Sequence, residues 1–248
     1  MIAGIMEVKV HPVPDPPELG TRDGLSYALF VPDTKPSAGI LVLHGAGSAK
    51  ESHYGFARAA RAHGLAALAY DARGHGRSTG EFGATAFGDA LAMLDVLREH
   101  APAAGIRGSS MGGFCALHVA AMEPSIVAAV AICPAPEDLL LRMVRAEGED
   151  EPEFRFDRDE VERWLSSLSV YEAVRRLPND TELLLMHAQG DAQVSWTVSE
   201  ELHARAQVER KRLLVLPGGH HRSVQHDLEL QAESLRFVEK AARRRADR

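Results

Sequence analysis

Cysteine is scarce: Cys115 and Cys133 stand alone in apolar runs, with no Cys-x-x-Cys pair between them. A disulfide framework and a thiolate zinc site are therefore not expected, and both thiols should be buried. Positive charge is also in the minority, 28 Lys and Arg against 35 Asp and Glu, for a formal net charge of −7. A nucleic-acid partner, which calls for a basic face, is not expected on that balance. The one basic cluster, Lys240-Ala-Ala-Arg-Arg-Arg-Ala-Asp-Arg248, reads as a solvated, frayed helix end whose cations suit the helix dipole. No apolar run approaches the roughly 20 residues of a membrane-spanning helix, so no span is expected. The stretch Met1-Ile-Ala-Gly-Ile-Met-Glu-Val-Lys-Val10 lacks a basic segment followed by a long apolar one, and the expected location is the cytoplasm. Internal repeats and low-complexity linkers are missing as well.

What is present is ordinary for a folded chain, 45% hydrophobic and 25% charged residues over 248 positions. That length supports one domain with a substantial core. Short apolar runs alternate with longer helical patterns, which predicts a mostly parallel sheet covered by helices on both faces. Strands are expected near Glu7–Val10, Leu25–Val31, Gly39–Leu43, Leu65–Tyr70, just before Gly108, and at Ile126–Ile132, Glu182–Met186 and Lys211–Leu216, the first two as an antiparallel edge pair. Helices are expected over Ser48–His63, Thr85–His100, Ser110–Met122, Val198–Ala206 and Leu228–Ala242, with Gly64 stopping the first. About 45 residues break the rhythm. The segment 137–181 holds Leu139-Leu-Leu-Arg-Met-Val144, an acidic stretch Glu147–Glu153 and a helical pattern Arg158–Arg176. A connection of that length carries elements of its own, and it reads as a small helical cap inserted into a single domain spanning 1–248.

The strongest local signal is Gly108-Ser109-Ser110-Met111-Gly112-Gly113, a G-x-S-x-G centred on Ser110. A nucleophile on a sharp strand-to-helix turn needs a costly backbone conformation, and only small residues fit two positions to either side. The helix that follows also offers unpaired N–H groups to a developing oxyanion. Gly76-Arg-Ser78-Thr-Gly80 fits the same pattern, but it lies in a glycine-rich loop with no strand before it and no helix after it. Ser109 fails because its flanks are Arg107 and Met111. A serine hydroxyl needs a base and a group to orient that base. His187-Ala-Gln-Gly-Asp191 follows one strand and Pro217-Gly-Gly-His-His221 follows the next, so a carboxylate and two imidazoles reach the sheet edge where open parallel sheets gather their reacting groups.

In these segments the chain resembles the α/β-hydrolase superfamily. The resemblance is carried by Leu43-His-Gly-Ala-Gly47, Asp71-Ala-Arg-Gly-His-Gly-Arg-Ser78, Gly108–Gly113, Gly190-Asp191 and Gly218-Gly-His-His221, in that order, and it runs from about Leu25 to the final helix. It is similar in detail to esterases and to lipases of the monoacylglycerol type, which share the His-Gly-Ala-Gly segment and the Ser-Met-Gly elbow. The resemblance implies an α/β-hydrolase fold, Ser110 as nucleophile, His221 rather than His220 as base, and Asp191 as the acid. It also implies an oxyanion hole from the N–H groups of Ala46 and Met111, and a bracing role for the Asp71 segment. Some members carry the acid one strand earlier, where this chain has Glu137-Asp138.

No metal or cofactor is expected. No His-Glu-x-x-His spacing occurs, and Gly45-Ala-Gly47 is not completed to a dinucleotide motif because position 50 is Lys. His44 reads as loop support. The expected partner is a small molecule, a small or medium uncharged carboxylic ester, with the acidic residues between Glu147 and Asp159 disfavouring anions where they face the entrance. A thioesterase, amidase or peptidase with the same three residues, and a non-catalytic ligand-binding protein of this fold, stay open as alternatives.

Overall fold

The computed structural model describes residues 15–146 and 152–248. Eight strands form one sheet: β1 (Glu18–Arg22), β2 (Leu25–Phe30), β3 (Gly39–Leu43), β4 (Ala66–Tyr70), β5 (Ala104–Ser109), β6 (Ile126–Ile132), β7 (Glu182–Ala188) and β8 (Lys211–Leu216). Their spatial order is β1-β2-β4-β3-β5-β6-β7-β8, with β1 and β2 antiparallel to their neighbours and every pair from β4 to β8 parallel. The central strands β3 to β7 are buried at every position, as continuous apolar runs between two helical layers must be.

One face of the sheet packs α2 (Ala86–Arg98), α3 (Met111–Met122) and α7 (Thr197–Arg205). The other packs α1 (Tyr54–Ala62), the short α8 (Ser223–His226) and α9 (Leu228–Ala246). Between β6 and β7 run α4 (Glu137–Arg145), α5 (Arg158–Ser166) and α6 (Val170–Arg175). Trp164 on α5 lies against Phe82, Phe87 and Phe114, which seats this helical segment on the first face. The isolated bridge Phe82–Phe156 fastens its other edge.

Several expectations change. The edge partner of β2 is β1, an exposed polar strand closed by Asp23-Gly24 at φ 52° and 80°; the strand expected at Glu7–Val10 lies outside the described residues. The helix expected from Ser48 is a 3-10 turn over Lys50–His53 followed by α1, with Gly64 at φ 82° after it. The single pattern Arg158–Arg176 is two helices, because Asp157 caps one and Ser169 caps the other, each accepting from the N–H of a Glu three residues on. The basic C-terminus is not frayed. Arg244 pairs with the buried Glu182 at the start of β7, Arg245 reaches Asp180 at 2.9 Å and Arg248 reaches Glu209 at 2.9 Å. Acidic partners at the start of β7 and before β8 carry the helix to Ala246, beyond the expected Ala242. Among the described residues no helix is long and apolar enough to cross a membrane.

Candidate active site

Ser110 occupies the turn from β5 into α3 at φ 54° and ψ −119°, a conformation that L-residues avoid. The elbow is held by Ser110 N–H donating to Ile132 O (2.9 Å) and by Phe114 and Ala135 N–H donating to Ser110 O. The flanking glycines are required by space. A Cβ on Gly108 would lie 2.0 Å from Gly112 O, and one on Gly112 would lie 2.3 Å from Leu43 O. The G-x-S-x-G spacing is thus the close passage of α3 over the end of β3.

The loop after β3 faces the elbow, and a Cβ on Gly45 would sit 3.4 Å from Ser110 Cβ. His44 fixes this loop. Its Nε2 accepts from Ala72 N–H (2.9 Å), so Nδ1 carries the hydrogen and donates to Gly45 O (2.7 Å). Burial lowers its pKa and keeps the ring neutral. Ala46 follows on the cavity wall, and Met111 is the first residue of α3, where N–H groups have no intrahelical partner.

Asp191 ends a tight turn after β7. Its Oδ1 accepts from the N–H groups of Gln193 (2.9 Å) and Val194 (3.0 Å), and its Oδ2 accepts from His221 Nδ1 at 2.7 Å. Burial opposes ionisation, but those amides and His221 outweigh it and hold the carboxyl below its usual range. His221 lies in the loop after β8, entered through Gly218 and Gly219 at φ 74° and 75°. A single cavity of about 440 Å³ is lined by Gly45, Ala46, Ser110 and His221. Its apolar wall is Ala135, Leu139, Leu140, Met143 and Val194; its polar side includes Ser48, Ser52, Gln225 and His226.

The other candidates are engaged elsewhere. Ser78 is buried, its hydroxyl donating to Asp71 O (2.6 Å) and accepting from Ser26 N–H. Ser109 donates to Gln225 Oε1. His220 is exposed, and its backbone N–H and C=O meet the Ser223 hydroxyl. Asp138 is exposed and pairs with Arg142 one turn along α4. Neither Glu153 nor Asp159 lines the cavity, Glu147 to Glu151 lie outside the described residues, and among the described residues Arg222 is a lining residue.

Two features had little or no signal in the sequence. Lys50, noted there only for breaking a glycine motif, is buried and donates to Asp71 Oδ2 at 2.6 Å, while its N–H donates to Oδ1. His187 sits behind Asp191. Cys133, His187 and Asp191 bring a thiol, an imidazole and a carboxylate within 4.8 Å of one another, a set of types that could hold a metal. The hydrogen bonds assign His187 otherwise: its Nε2 lies 3.0 Å from Val194 O and its Nδ1 2.7 Å from Ser199 Oγ. Residues 133 and 187 are far apart in the chain, so no spacing motif marks them.

A family model described as serine aminopeptidase, S33, matches residues 34–145, a little under half the chain. No curated protein matches. Among solved structures, Est1E from Butyrivibrio proteoclasticus, seen with ferulic acid bound, is similar at 20% identity with a TM-score of 0.73, covering 93% of this chain and 100% of its own. A monoacylglycerol lipase of Paleococcus ferrophilus is similar at 20% identity and TM-score 0.67, over 88% of this chain and 98% of its own. Monoglyceride lipase of Saccharomyces cerevisiae, a soluble variant holding a substrate analogue, shares 14% identity at TM-score 0.72, over 96% and 97%. The chain has the α/β-hydrolase fold.

Proposed function

We propose that this protein is a serine hydrolase that cleaves a small or medium, uncharged carboxylic ester through an acyl-enzyme. The observation that carries the reading is His221, held by Asp191 at 2.7 Å and lining one cavity together with Ser110. Ser110 Oγ attacks the ester carbonyl while His221 Nε2 takes its proton. The tetrahedral oxyanion is stabilised by the N–H groups of Ala46 and Met111. As the carbonyl re-forms, the C–O bond to the alcohol breaks and His221 returns the proton to the leaving oxygen. Water then repeats the cycle on the acyl-serine, and Asp191 holds the imidazole tautomer and stabilises the imidazolium in both halves. The segment 137–181 is read as the cap of a single domain, with Leu139, Leu140 and Met143 of α4 as its contribution to the acyl wall.

The family model's description favours a second reading, cleavage of peptide amides. An aminopeptidase must hold the substrate's ammonium group, and no Asp or Glu lines the cavity among the described residues. The ester reading is preferred for that reason. Labelling with a serine-directed phosphonate, beside p-nitrophenyl esters, acyl thioesters and aminoacyl amides, tests both. We expect labelling at Ser110 and turnover of esters, unaffected by EDTA. Preference for amides or thioesters would replace the substrate class, and an unlabelled, inert protein would leave a binding protein of this fold.

A further inference from the structure

The proposed mechanism makes no use of the imidazole behind Asp191. His187, on β7, is fully buried. Its Nδ1 lies 2.7 Å from Ser199 Oγ on α7, and its Nε2 lies 3.0 Å from Val194 O and 3.3 Å from Asp191 Oδ2. These neighbours fix the tautomer. Both groups beside Nε2 only accept, so that nitrogen carries the hydrogen, and Nδ1 accepts from the Ser199 hydroxyl. The opposite tautomer would aim a lone pair at two oxygens in a buried pocket. Burial lowers the ring's pKa, against the pull of the Val194 carbonyl and Asp191, and keeps it neutral.

Asp191 Oδ2 therefore lies beside two imidazole nitrogens that carry hydrogen: His221 Nδ1, which donates to it at 2.7 Å, and His187 Nε2, which donates to Val194 O and stands 3.3 Å from Oδ2. Oδ1 is held separately by two backbone amides, so the carboxylate keeps its orientation without His187. What changes without His187 is the basicity of Oδ2, because a donor to a carboxylate draws off part of its charge. The other titratable groups here are Cys133 just after β6, whose thiol burial pushes up to about 12, and Arg222 and His226, which line the cavity.

We propose that His187 is a positioning residue of the site. Its Nε2–H bridges Val194 O and Asp191 Oδ2, ties the acid turn to β7, and limits how strongly Asp191 holds the His221 imidazolium. The idea rests on the serine-hydrolase reading, so one of its readouts is kept free of activity. His187→Leu removes both ring nitrogens, whereas His187→Gln keeps an amide N–H near the place of Nε2.

In proton NMR of the folded protein, the His221 Nδ1–H resonance should move downfield in His187→Leu and stay near its original position in His187→Gln. In kinetics, the acid limb of kcat/KM should move to higher pH by about half a unit in the Leu variant and return in the Gln variant, with kcat changing more than KM. An unmoved resonance and limb in a folded Leu variant, or equal shifts in both variants, would overturn the proposal. Should the Leu variant not fold, nitrogen-15 spectra of the unaltered protein decide: the His187 hydrogen belongs on Nε2, and finding it on Nδ1 refutes the bridge. A wild-type protein inert toward every acyl substrate and unlabelled at Ser110 would sink the hydrolase reading, while the NMR results still judge His187.

Discussion

At the scale of single residues, the site depends on what cannot be changed around Ser110. Ser110→Ala should abolish ester turnover and phosphonate labelling with the fold intact, since one hydroxyl at a cavity wall adds little stability; Ser78→Ala should keep turnover. Gly108→Ala is a different test. Its Cβ would stand 2.0 Å from a backbone oxygen, with nothing flexible to yield, so the variant should melt well below the parent in a thermal scan or fail to accumulate folded. A melting point equal to the parent's would show the elbow to be looser than the structure has it. The histidines separate just as clearly. His221→Ala should lower kcat by roughly six orders of magnitude, as loss of such a base does, whereas His220→Ala, whose ring is exposed, should cost far less. Equal losses in both variants would remove the assignment of the base.

At the scale of elements, the loops around the site are held by a buried ion pair. Lys50 and Asp71 join the turn after β3 to the loop after β4, and that loop in turn pairs Gly74 with Arg155 of the segment between β6 and β7. The Asp71 carboxyl lies below its usual range: burial opposes this, but the Arg77 amide and both donors of Lys50 outweigh it. A depressed carboxylate stabilises the fold fully above the unfolded value of about 3.9 and loses that contribution as pH falls through the lower folded value. Stability against urea should therefore fall below about pH 4. Asp71→Asn should flatten that slope and cost about 2 kcal/mol at neutral pH, because it leaves the buried Lys50 ammonium with Glu51, 3.2 Å away, as its charged partner. An unchanged acid slope in that variant would show the pair to be dispensable. The sequence made the motif of this loop visible but not its partner, because a buried Lys carries no pattern in a chain where lysines are usually solvated. The same limit explains β1. Glu18-Leu-Gly-Thr-Arg22 has an exposed edge and no apolar alternation to read, while the buried β6 and the two-sided β3 were legible from their apolar runs. His187 was invisible because its partners, Ser199 of α7 and Asp191 and Val194 after β7, meet it only in space.

Across the whole molecule, the parallel sheet makes a cavity from segments that are remote in sequence. The ends of β3, β5, β7 and β8 deliver Gly45–Ala46, Ser110, Asp191 and His221 to one rim, and the segment between β6 and β7 lays α4 beside them. Aromatic packing of Trp164 and the Arg145–Glu162 pair, 2.9 Å apart, tie α4 and α5 to each other and to the main sheet. That leaves Leu139, Leu140 and Met143 of α4 facing a space of about 440 Å³, at the smaller end of ligand cavities. An acyl chain of two to six carbons is short enough to lie along these three side chains, whereas the far end of a sixteen-carbon chain would run past them. p-Nitrophenyl acetate to hexanoate should accordingly be cleaved faster than the palmitate. Met143→Trp, which fills the wall away from Ser110, should lower kcat/KM for hexanoate at least about tenfold more than for acetate, since a methylene's worth of pocket contact is worth about 1–3 kcal/mol. Equal losses on both esters would mean that the acyl group lies on the polar side of the cavity, by Ser52 and Gln225, and that α4 lines the path of the leaving alcohol instead.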